Sequence, residues 1–256
     1  MQTNKDNLVV LGAGWLGQAL CIDAQKQGWQ VQGTHRSDTH QFDFERQFVL
    51  QNGELQHQVD LQNAYWVCAI PPRSRDSESD YAQVLEQGLK LATKLNCKGF
   101  LLCSSTGVYD QEPGVYSESS DISGTNERQI KLYDAEEQVL EQQGKVLRLA
   151  GLLGPNREPG RFVAGKELNT SSHQVVNMVH QQDVINAIYA VLNNWSQGQS
   201  IYNVVNPAHP SKADYYAQKC ELYGTQMPSF SSDEVAERKV IGSAIEALGF
   251  SYQYGI

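Results

Sequence analysis

The stretch GAGWLG, residues 12–17, constrains the fold of this chain more than any other part of the sequence. The apolar run NLVVL precedes it, and the segment that follows carries apolar residues at helical spacing as far as Gly28. A second strand-like run, WQVQGTHR, comes next. Although G-x-G-x-x-G also occurs in ordinary turns, the order strand, glycine turn, helix and strand is the context in which it binds a dinucleotide. The context favours a cofactor site.

Each residue of this turn has an expected role. Gly12 permits the tight turn, Gly14 lets the backbone approach a pyrophosphate, and Gly17 lets helix and strand pack closely. Trp15 and Leu16 open the helix, whose N-terminal N–H groups and positive potential favour an anion. We therefore predict that these five residues bind the cofactor. A structural turn without cofactor is the alternative.

The rest of the chain continues the alternation. Apolar runs at AYWVCAI, GFLLCSS, KVLRLAG and IYNVV are separated by segments of helical spacing, which predicts an α/β, Rossmann-like, doubly wound parallel sheet. Two stretches rich in Pro, Gly and Ser break the pattern. We predict a dinucleotide-binding domain over 1–155, a small C-terminal substrate lobe from 156–176 and 206–256, and a return to the sheet over 177–205.

Composition limits the partners. The chain has 256 residues, of which 40% are hydrophobic, and a net charge of -9, which argues against a nucleic-acid surface. It contains no apolar run long enough for a membrane span, so we expect a soluble cytoplasmic protein with a small-molecule substrate. The chain has five cysteines, an odd number, and they are scattered along the sequence. This pattern suggests neither a disulfide framework nor a metal site, and we interpret the cysteines as reduced core residues. They are Cys21, Cys68, Cys97, Cys103 and Cys220.

The segment GTHRSD, after the second strand, bears on the choice of cofactor. NAD sites usually place an acid about 20 positions beyond the glycines, whereas an arginine there accommodates a 2′-phosphate. Thr34, His35 and Arg36 occupy this place, and Asp38 comes about one turn too late. The sequence thus favours NADP and leaves NAD open, with Arg36 a solvated loop cation in the alternative reading. Asp43 either faces the adenine side of the cofactor or is an ordinary loop carboxylate.

The segment SSTGVY, residues 104–109, resembles the S-S-x-x-V-Y segment of the extended short-chain dehydrogenase/reductases, the group of epimerases and dehydratases that act on nucleotide sugars. AIPP, RLAGLLGPNR, VNMVHQQDVINAI, YNVVNP and a closing RKVIGSAIEALGFSYQYG resemble family segments in the same order. The chain is shorter than most nucleotide-sugar epimerases, which brings it closer to compact, atypical members. The resemblance implies that the cofactor contacts Ala69, Ile70, Pro71 and Ser104.

The resemblance also assigns a role to Ser105. In the family, the hydroxyl three positions before the Val of V-Y binds the substrate hydroxyl or keto oxygen. A serine suits this role because it can donate one hydrogen bond while it accepts another. The alternative is a strand-end serine bonded to local backbone.

The family's Tyr-x-x-x-Lys pair is missing. Members usually have Ala-Glu about eight residues after the tyrosine, and residues 135–136 then place Arg128 at the tyrosine position and Leu132 at the lysine position. Shifting the register by one residue, to Glu137, places Gln129 at the tyrosine position and Tyr133 at the lysine position. This register does not restore the pair either. Arg128 is therefore the candidate for a non-standard catalytic group beside the serine.

Lys131 and Tyr133 cannot replace that pair. They project about 200° apart on a helix, since each residue turns about 100°. We interpret Lys131 as a solvated cation and Tyr133 as a packing residue. Tyr109 and Tyr116 could supply a proton from another direction, and no spacing selects either.

Four polar residues further along the chain have two interpretations each. Arg157 and Arg161 follow the sixth strand, where related enzymes bind the phosphates of a sugar nucleotide, or they are solvated. His180 and Asp183 are predicted to be a strand-end bonding residue and a helix N-cap rather than an acid–base couple.

Three functions remain open. The first is an NADP-dependent oxidoreductase or epimerase of atypical mechanism acting on a carbonyl, sugar or nucleotide-sugar substrate. The second is a non-catalytic dinucleotide-binding sensor or regulatory module, and the third is a scaffold without cofactor, which the glycine pattern disfavours. A homodimer is also open, because an apolar stripe resembles a family dimer helix, although such a stripe can equally pack on its own sheet. The stripe is Tyr81, Val84, Leu85, Gly88 and Ala92.

Overall fold

The computed structural model describes residues 6–38, 41–72, 80–234 and 237–256 of the chain. The strands are β1 (Asn7–Leu11), β2 (Gln30–His35), β3 (Glu45–Gln51), β4 (Glu54–His57), β5 (Ala64–Cys68), β6 (Gly99–Ser105), β7 (Gly114–Tyr116), β8 (Lys145–Leu149), β9 (Gly151–Leu153), β10 (Glu167–Ser171), β11 (Met178–His180), β12 (Ile201–Val204), β13 (Ser229–Ser232) and β14 (Arg238–Val240). The helices are α1 (Trp15–Lys26), α2 (Tyr81–Lys94), α3 (Glu127–Leu140), α4 (Pro159–Phe162), α5 (Gln181–Asn193) and α6 (Lys212–Tyr223). Short 3-10 turns cover Thr106–Val108 and Glu246–Leu248.

Eight strands form the main sheet, in the order β12-β8-β6-β5-β1-β2-β3-β4. Strand β1 pairs in parallel with β2 and β5, and parallel pairs also join β5 to β6 and β2 to β3. The outer pair, β3 and β4, is antiparallel. The predicted Rossmann-like α/β fold is confirmed, with an antiparallel strand added at one edge.

The β3–β4 hairpin was not predicted from the apolar runs. Its two strands are joined by Asn52 and Gly53, which both have positive φ angles, 51° and 81°. Two central residues of positive φ match a type I′ turn, whose twist suits a two-residue hairpin. Strand β4 is exposed at three of its four positions, so it closes this edge of the sheet with polar side chains.

The parallel strands bring the predicted site residues to one edge. Strands β1, β2, β5 and β6 run in the same direction, so their carboxyl ends meet at the same edge of the sheet. The glycine turn follows β1, Arg36 follows β2, Ala69 follows β5, and β6 ends at Ser105. This edge is where open α/β sheets bind their ligands.

The apolar stripe on α2 packs within the protomer. Tyr81, Leu85 and Ala92 are buried in one cluster with strand residues that include Leu11. A Cβ on Gly88 would lie 2.5 Å from the Leu11 Cδ1 atom, so this glycine lets the helix approach the sheet closely. The stripe is thus covered by its own sheet, and a homodimer would need another surface.

The chain divides into two compact units. The first comprises residues 1–108, 124–147 and 199–201, and includes the glycine turn and the helices α1 to α3. The second comprises residues 109–123, 148–198 and 202–256, with the two-stranded sheets β10–β13, β11–β9 and β14–β7. The lobe boundaries drawn from the sequence remain a prediction.

Four of the five cysteines are buried, as expected for core residues, and Cys97 is half-buried. All five are free thiols. Burial raises the pKa of Cys21 and Cys68 to about 12, so these thiols remain protonated and unreactive at neutral pH. Within the described ranges, no helix has both the length and the apolar character needed to cross a membrane.

Candidate functional site

Gly12 and Gly17 hold the turn between β1 and α1 in a tight form. Gly12 has φ +88°, and a Cβ there would lie 2.7 Å from Ile70 Cγ1 and 2.9 Å from its backbone nitrogen. A Cβ on Gly17 would lie 2.1 Å from the Gly12 carbonyl oxygen. The structure therefore requires glycine at both positions, for the tight turn and for the close packing of helix on strand.

Gly14 differs from Gly12 and Gly17, because no neighbouring protein atom would collide with a side chain at position 14. It is the N-cap of α1, with φ -83° and ψ -154°, and its Cβ would have nothing within 4 Å. The helix N-terminus has no side-chain cap and no acidic residue in its first turn. The first N–H groups of a helix lack partners inside the helix and attract anions. This end of α1 is therefore open and uncapped, which is the arrangement in which helix N-termini bind anions.

Trp15 and Leu16 follow Gly14 in the chain. Trp15 begins the helix and is half-buried, and the side chain of Leu16 is buried in the core. Any contact of Leu16 with a cofactor would therefore be made by its backbone. That Trp15 and Leu16 bind the cofactor stays a prediction, which depends on their backbone N–H groups at the start of α1.

Thr34 holds the glycine turn rather than presenting its side chain to a ligand. It is 2% exposed, its hydroxyl accepts a hydrogen bond from the Gly12 N–H at 3.0 Å, and its carbonyl accepts one from the Ala13 N–H at 2.7 Å. That Thr34 binds the cofactor stays a prediction. Its hydroxyl is already used to position the turn.

An acid that the spacing from the glycine turn does not indicate lies near the end of β2. Glu45 is buried, and its backbone pairs with Gly33 across β2 and β3. Its carboxylate lies 3.8 Å from His35 Nε2 and accepts hydrogen bonds from the backbone N–H groups of Gln41 and Phe42. His35 is half-buried beside the Glu45 carboxylate. Glu45 comes ten positions after His35 in the chain, beyond the position at which an NAD site usually has its acid.

Two other residues predicted to bind cofactor lie at the surface of this region. Arg36 follows His35 directly and is exposed. Asp43 is also exposed, and its carbonyl accepts a hydrogen bond from the Arg46 guanidinium at 2.9 Å. Both side chains are free of the core and accessible to a ligand, as a cofactor contact requires.

The segment after β5 packs on the glycine turn. The Ala69 N–H donates to the Leu11 carbonyl at 2.8 Å, and Ile70 fills the space beside Gly12 that a Cβ would occupy. Pro71 follows and is exposed. Ala69 and Ile70 therefore border the glycine turn, and their contact with the cofactor stays a prediction.

Ser104 lies on the opposite side of β6 from Ser105, since successive strand residues alternate between faces. It is buried, and its hydroxyl donates to the carboxylate of Glu136 on α3 at 2.5 Å. This hydroxyl ties helix α3 to the sheet, and the binding of cofactor by Ser104 stays a prediction.

The bond between Ser104 and Glu136 fixes the rotation of α3. Glu136 is fully buried. In the register that takes Ala135-Glu136 as the family's Ala-Glu pair, Arg128 stands at the tyrosine position and Leu132 at the lysine position, and this register stays a prediction. Leu132 is 1% exposed and belongs to the core.

The structure brings the two predicted catalytic residues together around Gly107. The Gly107 N–H donates to the Ser105 hydroxyl at 3.1 Å. A Cβ on Gly107 would lie 2.7 Å from Nη2 of Arg128, 3.1 Å from its Cζ and 3.2 Å from its Nε. We call Ser105, Gly107 and Arg128 the serine–arginine site.

Tyr133 does not pack as predicted. It is 40% exposed, because α3 buries the face that carries Leu132, Ala135 and Glu136 and turns Tyr133 outward. Lys131 is half-buried rather than fully solvated. Neither residue takes part in the serine–arginine site contacts described above.

We therefore expect Lys131→Met and Tyr133→Phe each to leave NADPH affinity and any turnover within about threefold of the wild type. The reason is that neither side chain stands at the family's tyrosine or lysine position when Ala135-Glu136 is taken as the family's Ala-Glu pair. Fluorescence titration and initial rates measure both quantities. A hundredfold loss in Tyr133→Phe would contradict the register.

Tyr109 and Tyr116 are engaged in the second unit. Tyr109 is fully buried, and its hydroxyl donates to Asn203 at 2.8 Å and accepts from Arg148 at 2.9 Å. Burial raises the pKa of Tyr109, although the Arg148 cation opposes this. Tyr116 donates to the Glu112 carbonyl at 3.0 Å. The structure gives Tyr109 a packing role.

Arg157 and Arg161 lie near the start of α4, also in the second unit. Arg161 pairs with Glu158 at 2.5 Å and lies over the Tyr223 ring, 4.9 Å from its centroid. An exposed ion pair of this kind leaves the Arg161 guanidinium partly solvated. This agrees with the interpretation of Arg161 as a solvated residue. Phosphate binding by Arg157 remains a prediction.

His180, not Asp183, caps α5. The His180 Nδ1 atom accepts a hydrogen bond from the Gln182 N–H at 3.1 Å, which corrects the predicted N-cap. Asp183 is fully buried in the first turn, and its carboxylate accepts from the backbone N–H groups of Gln253 and Tyr254 at 2.9 and 3.2 Å. The two residues thus have structural roles.

Comparison with known proteins places these features in context. Protein YeeZ of Escherichia coli (strain K12) is 32% identical over 265 residues, covering 96% of each chain. The structure of MoeE5 in complex with UDP-glucose and NAD has a TM-score of 0.78 at 18% identity and covers 98% of this chain and 94% of MoeE5. Human epimerase family protein SDR39U1 with NADPH has a TM-score of 0.69 at 18% identity, covering 97% and 95%. No protein-family model matches the chain.

Proposed function

We propose that this chain, which belongs to the same family as protein YeeZ and has the fold of the extended short-chain dehydrogenase/reductases, binds a nicotinamide dinucleotide and acts on a carbonyl or hydroxyl of a small molecule. The substrate class is a carbonyl compound, a sugar or a nucleotide sugar. The activity is that of an oxidoreductase or epimerase without the Tyr-x-x-x-Lys pair.

The observation that carries this proposal is the open, uncapped N-terminus of α1 at Gly14. The neighbouring glycines are enforced by contacts inside the protein, whereas Gly14 faces space that a pyrophosphate fits. A bound nicotinamide would supply a hydride donor or acceptor. MoeE5 with NAD and SDR39U1 with NADPH support a cofactor of this class.

For cofactor choice we favour NADP, with NAD as the alternative. Arg36 is exposed directly after β2, where it can meet a 2′-phosphate, and His35 adjoins it. The buried carboxylate of Glu45 opposes this, because its negative charge lies 3.8 Å from His35 Nε2. For NADP to be preferred, the attraction of Arg36 and the adjoining His35 for the 2′-phosphate must exceed the repulsion from the Glu45 carboxylate.

Arg36→Ala is expected to lower the preference for NADP over NAD by about tenfold to a hundredfold, since a charge-assisted hydrogen bond to phosphate is lost. Parallel calorimetric titrations with both cofactors measure the ratio. Lys94→Ala, which removes an exposed charge on α2, is the matched control and should leave the ratio unchanged. Tighter binding of NAD than NADP to the wild type would contradict the proposal.

In the proposed reaction, Ser105 donates a hydrogen bond to the substrate oxygen. The hydroxyl accepts from Gly107 and keeps its own hydrogen for donation. Arg128 holds a positive charge at the tyrosine position but cannot exchange a proton at neutral pH. The proton must therefore come from water or from the substrate itself.

One observation favours a second function, a non-catalytic dinucleotide-binding module. In the register that takes Ala135-Glu136 as the family's Ala-Glu pair, the buried Leu132 stands at the lysine position, and α3 then supplies neither the usual phenol nor the usual ammonium. A protein that has lost both groups can retain the cofactor site as a sensor.

One set of measurements tests the proposal and separates the two functions. NADPH is titrated against the purified protein by fluorescence, and its oxidation is then followed with a panel of keto sugars and simple keto compounds. Binding with turnover supports the enzyme, and binding without turnover supports the module. Absence of binding by both NADPH and NADH would overturn the cofactor assignment.

A further inference from the structure

The two-residue turn between β3 and β4 consists of Asn52 followed by Gly53. Both residues are exposed, and their φ angles of 51° and 81° place them in the left-handed region. The flanking residues Gln51 and Glu54 pair across the hairpin, so the whole reversal of the chain is made by these two residues. The same dipeptide places a side-chain amide next to a backbone nitrogen that carries no neighbouring side chain.

The backbone nitrogen of Gly53 is accessible. A Cβ on Gly53 would have no atom within 4 Å, so the space beside this residue is open. Within the described ranges, no hydrogen bond of the turns and loops starts at the Gly53 N–H, and the Asn52 side-chain amide forms no hydrogen bond. The nitrogen and the side-chain carbonyl carbon are thus both open to reaction.

Other asparagines of the chain have the same backbone conformation but a different following residue. Three further described asparagines are exposed and have positive φ angles: Asn63, Asn96 and Asn156. None of them precedes a glycine. The N–H after Asn96 donates to the Ala92 carbonyl at 3.0 Å, and the N–H after Asn156 donates to the Gly154 carbonyl at 2.9 Å. These asparagines are therefore natural controls for the reactivity of the hairpin turn.

We propose that Asn52 is a site of spontaneous deamidation, in which the Gly53 nitrogen attacks the side-chain carbon Cγ. Asparagine is among the thermolabile residues of proteins. The nitrogen loses its proton to solvent base, the N–Cγ bond closes a five-membered imide, and the Cγ–Nδ2 bond breaks to release ammonia. The only other reactant is water, and the modification is independent of the proposed cofactor and substrate.

Water opens the imide in two ways. Cleavage of the new N–Cγ bond gives aspartate at position 52. Cleavage of the bond between the Gly53 nitrogen and the backbone carbonyl carbon of Asn52 gives isoaspartate, in which the chain continues through Cβ and Cγ. Isoaspartate therefore lengthens the backbone of the turn by one carbon atom, whereas aspartate does not.

The two products have different effects on the hairpin. Aspartate keeps the backbone and accepts a positive φ, since Asp-Gly also forms type I′ turns. Isoaspartate changes the length of a turn that sets the pairing of Gln51 with Glu54. We therefore expect isoaspartate to loosen the pairing of β4 with β3 and aspartate to leave it intact.

The test follows the asparagine-containing peptides of the purified full chain during several weeks at mildly basic pH. Peptide mass spectrometry detects the replacement of the amide NH2 by OH, and an isoaspartyl carboxyl methyltransferase labels the isoaspartate product. Asn52 is expected to deamidate at least about tenfold faster than Asn63, Asn96 and Asn156, because glycine has no Cβ to hinder the attack.

Two matched variants separate the reaction from its effect on the fold. Asn52→Gly removes the side-chain amide and keeps a turn that accepts positive φ, so no deamidation product should form at position 52. Freshly purified Asn52→Asp supplies the aspartate product alone. Hydrogen exchange of the β4 amides is expected to be at least about tenfold faster in the isoaspartate fraction than in Asn52→Asp or in the fresh wild type.

Each part of the inference has an outcome that would overturn it. No gain of mass at Asn52 during the incubation, or equal rates at Asn52 and at the three control asparagines, would overturn the modification site. A gain of mass without isoaspartate label, or an isoaspartate fraction whose β4 amides exchange as in the fresh wild type, would overturn the effect on the hairpin.

Discussion

Replacing Gly14 by valine is expected to weaken NADPH binding by about a hundredfold or more while the protein stays folded. The valine side chain would occupy the space at the N-terminus of α1 through which a pyrophosphate approaches the backbone. No protein atom lies within 4 Å of the new Cβ, and φ -83° suits any residue, so the substitution costs the fold little.

The measurement is a calorimetric titration, with the melting temperature as a check on folding. Gly14→Ala should lose less affinity than valine, because one methyl group fills less of the space. Gly17→Ala supplies the contrast, since its Cβ would lie 2.1 Å from the Gly12 carbonyl oxygen and should destabilise the fold itself. Unchanged NADPH affinity in a folded Gly14→Val protein would remove the cofactor assignment.

Ser105→Ala is expected to lower turnover by roughly two orders of magnitude or more, if the protein is an enzyme, and to leave NADPH affinity intact. The lost hydroxyl is the group proposed to stabilise charge that develops on the substrate oxygen. Initial rates at saturating cofactor measure the effect. Because the hydroxyl also accepts a hydrogen bond from the Gly107 N–H, the variant removes that bond from the turn as well.

A conservative variant separates the two effects of that substitution. Ser105→Thr keeps the hydroxyl and should retain most of the turnover, whereas Ser105→Ala should not. A merely structural role would instead change the melting temperature and the NADPH affinity in parallel with the rate. Full activity of Ser105→Ala would remove the serine from the reaction.

The part of the fold around the glycine turn could be predicted because its causes are local. The turn at residues 12–17 and the helix that follows are encoded by neighbouring residues, and the structure has α1 at Trp15–Lys26. The helices α2, α3 and α5 were likewise readable from apolar spacing. Each of these elements buries one face against the sheet, which leaves a clear period in the sequence.

The β3–β4 hairpin lacks that kind of signal. Of the eleven residues in its two strands, five are half-buried and four are exposed, so buried and exposed positions do not alternate cleanly. The Asn52-Gly53 pair was nevertheless a readable sign, because both residues accept the positive φ that a two-residue hairpin needs. Turn chemistry could have found what periodicity did not.

Two hydroxyls predicted to lie at the cofactor site make contacts that are distant in sequence. Thr34 bonds to the glycine turn 22 positions away, and Ser104 bonds to α3 32 positions away. Glu45 was missed for a related reason, since only the pairing of β2 with β3 brings it beside His35. A hydroxyl or carboxylate at a strand end looks the same in a sequence whether it faces a ligand or another element.

The polar hairpin at the margin of the sheet has a consequence for solubility. A parallel sheet that ended at β3 would present a row of unpaired N–H and C=O groups, onto which another chain could add a strand. Strand β4 pairs with that row, is four residues long and exposes Glu54, Gln56 and His57. Short, polar margins of this kind resist strand addition between molecules and so guard this side of the protein against aggregation.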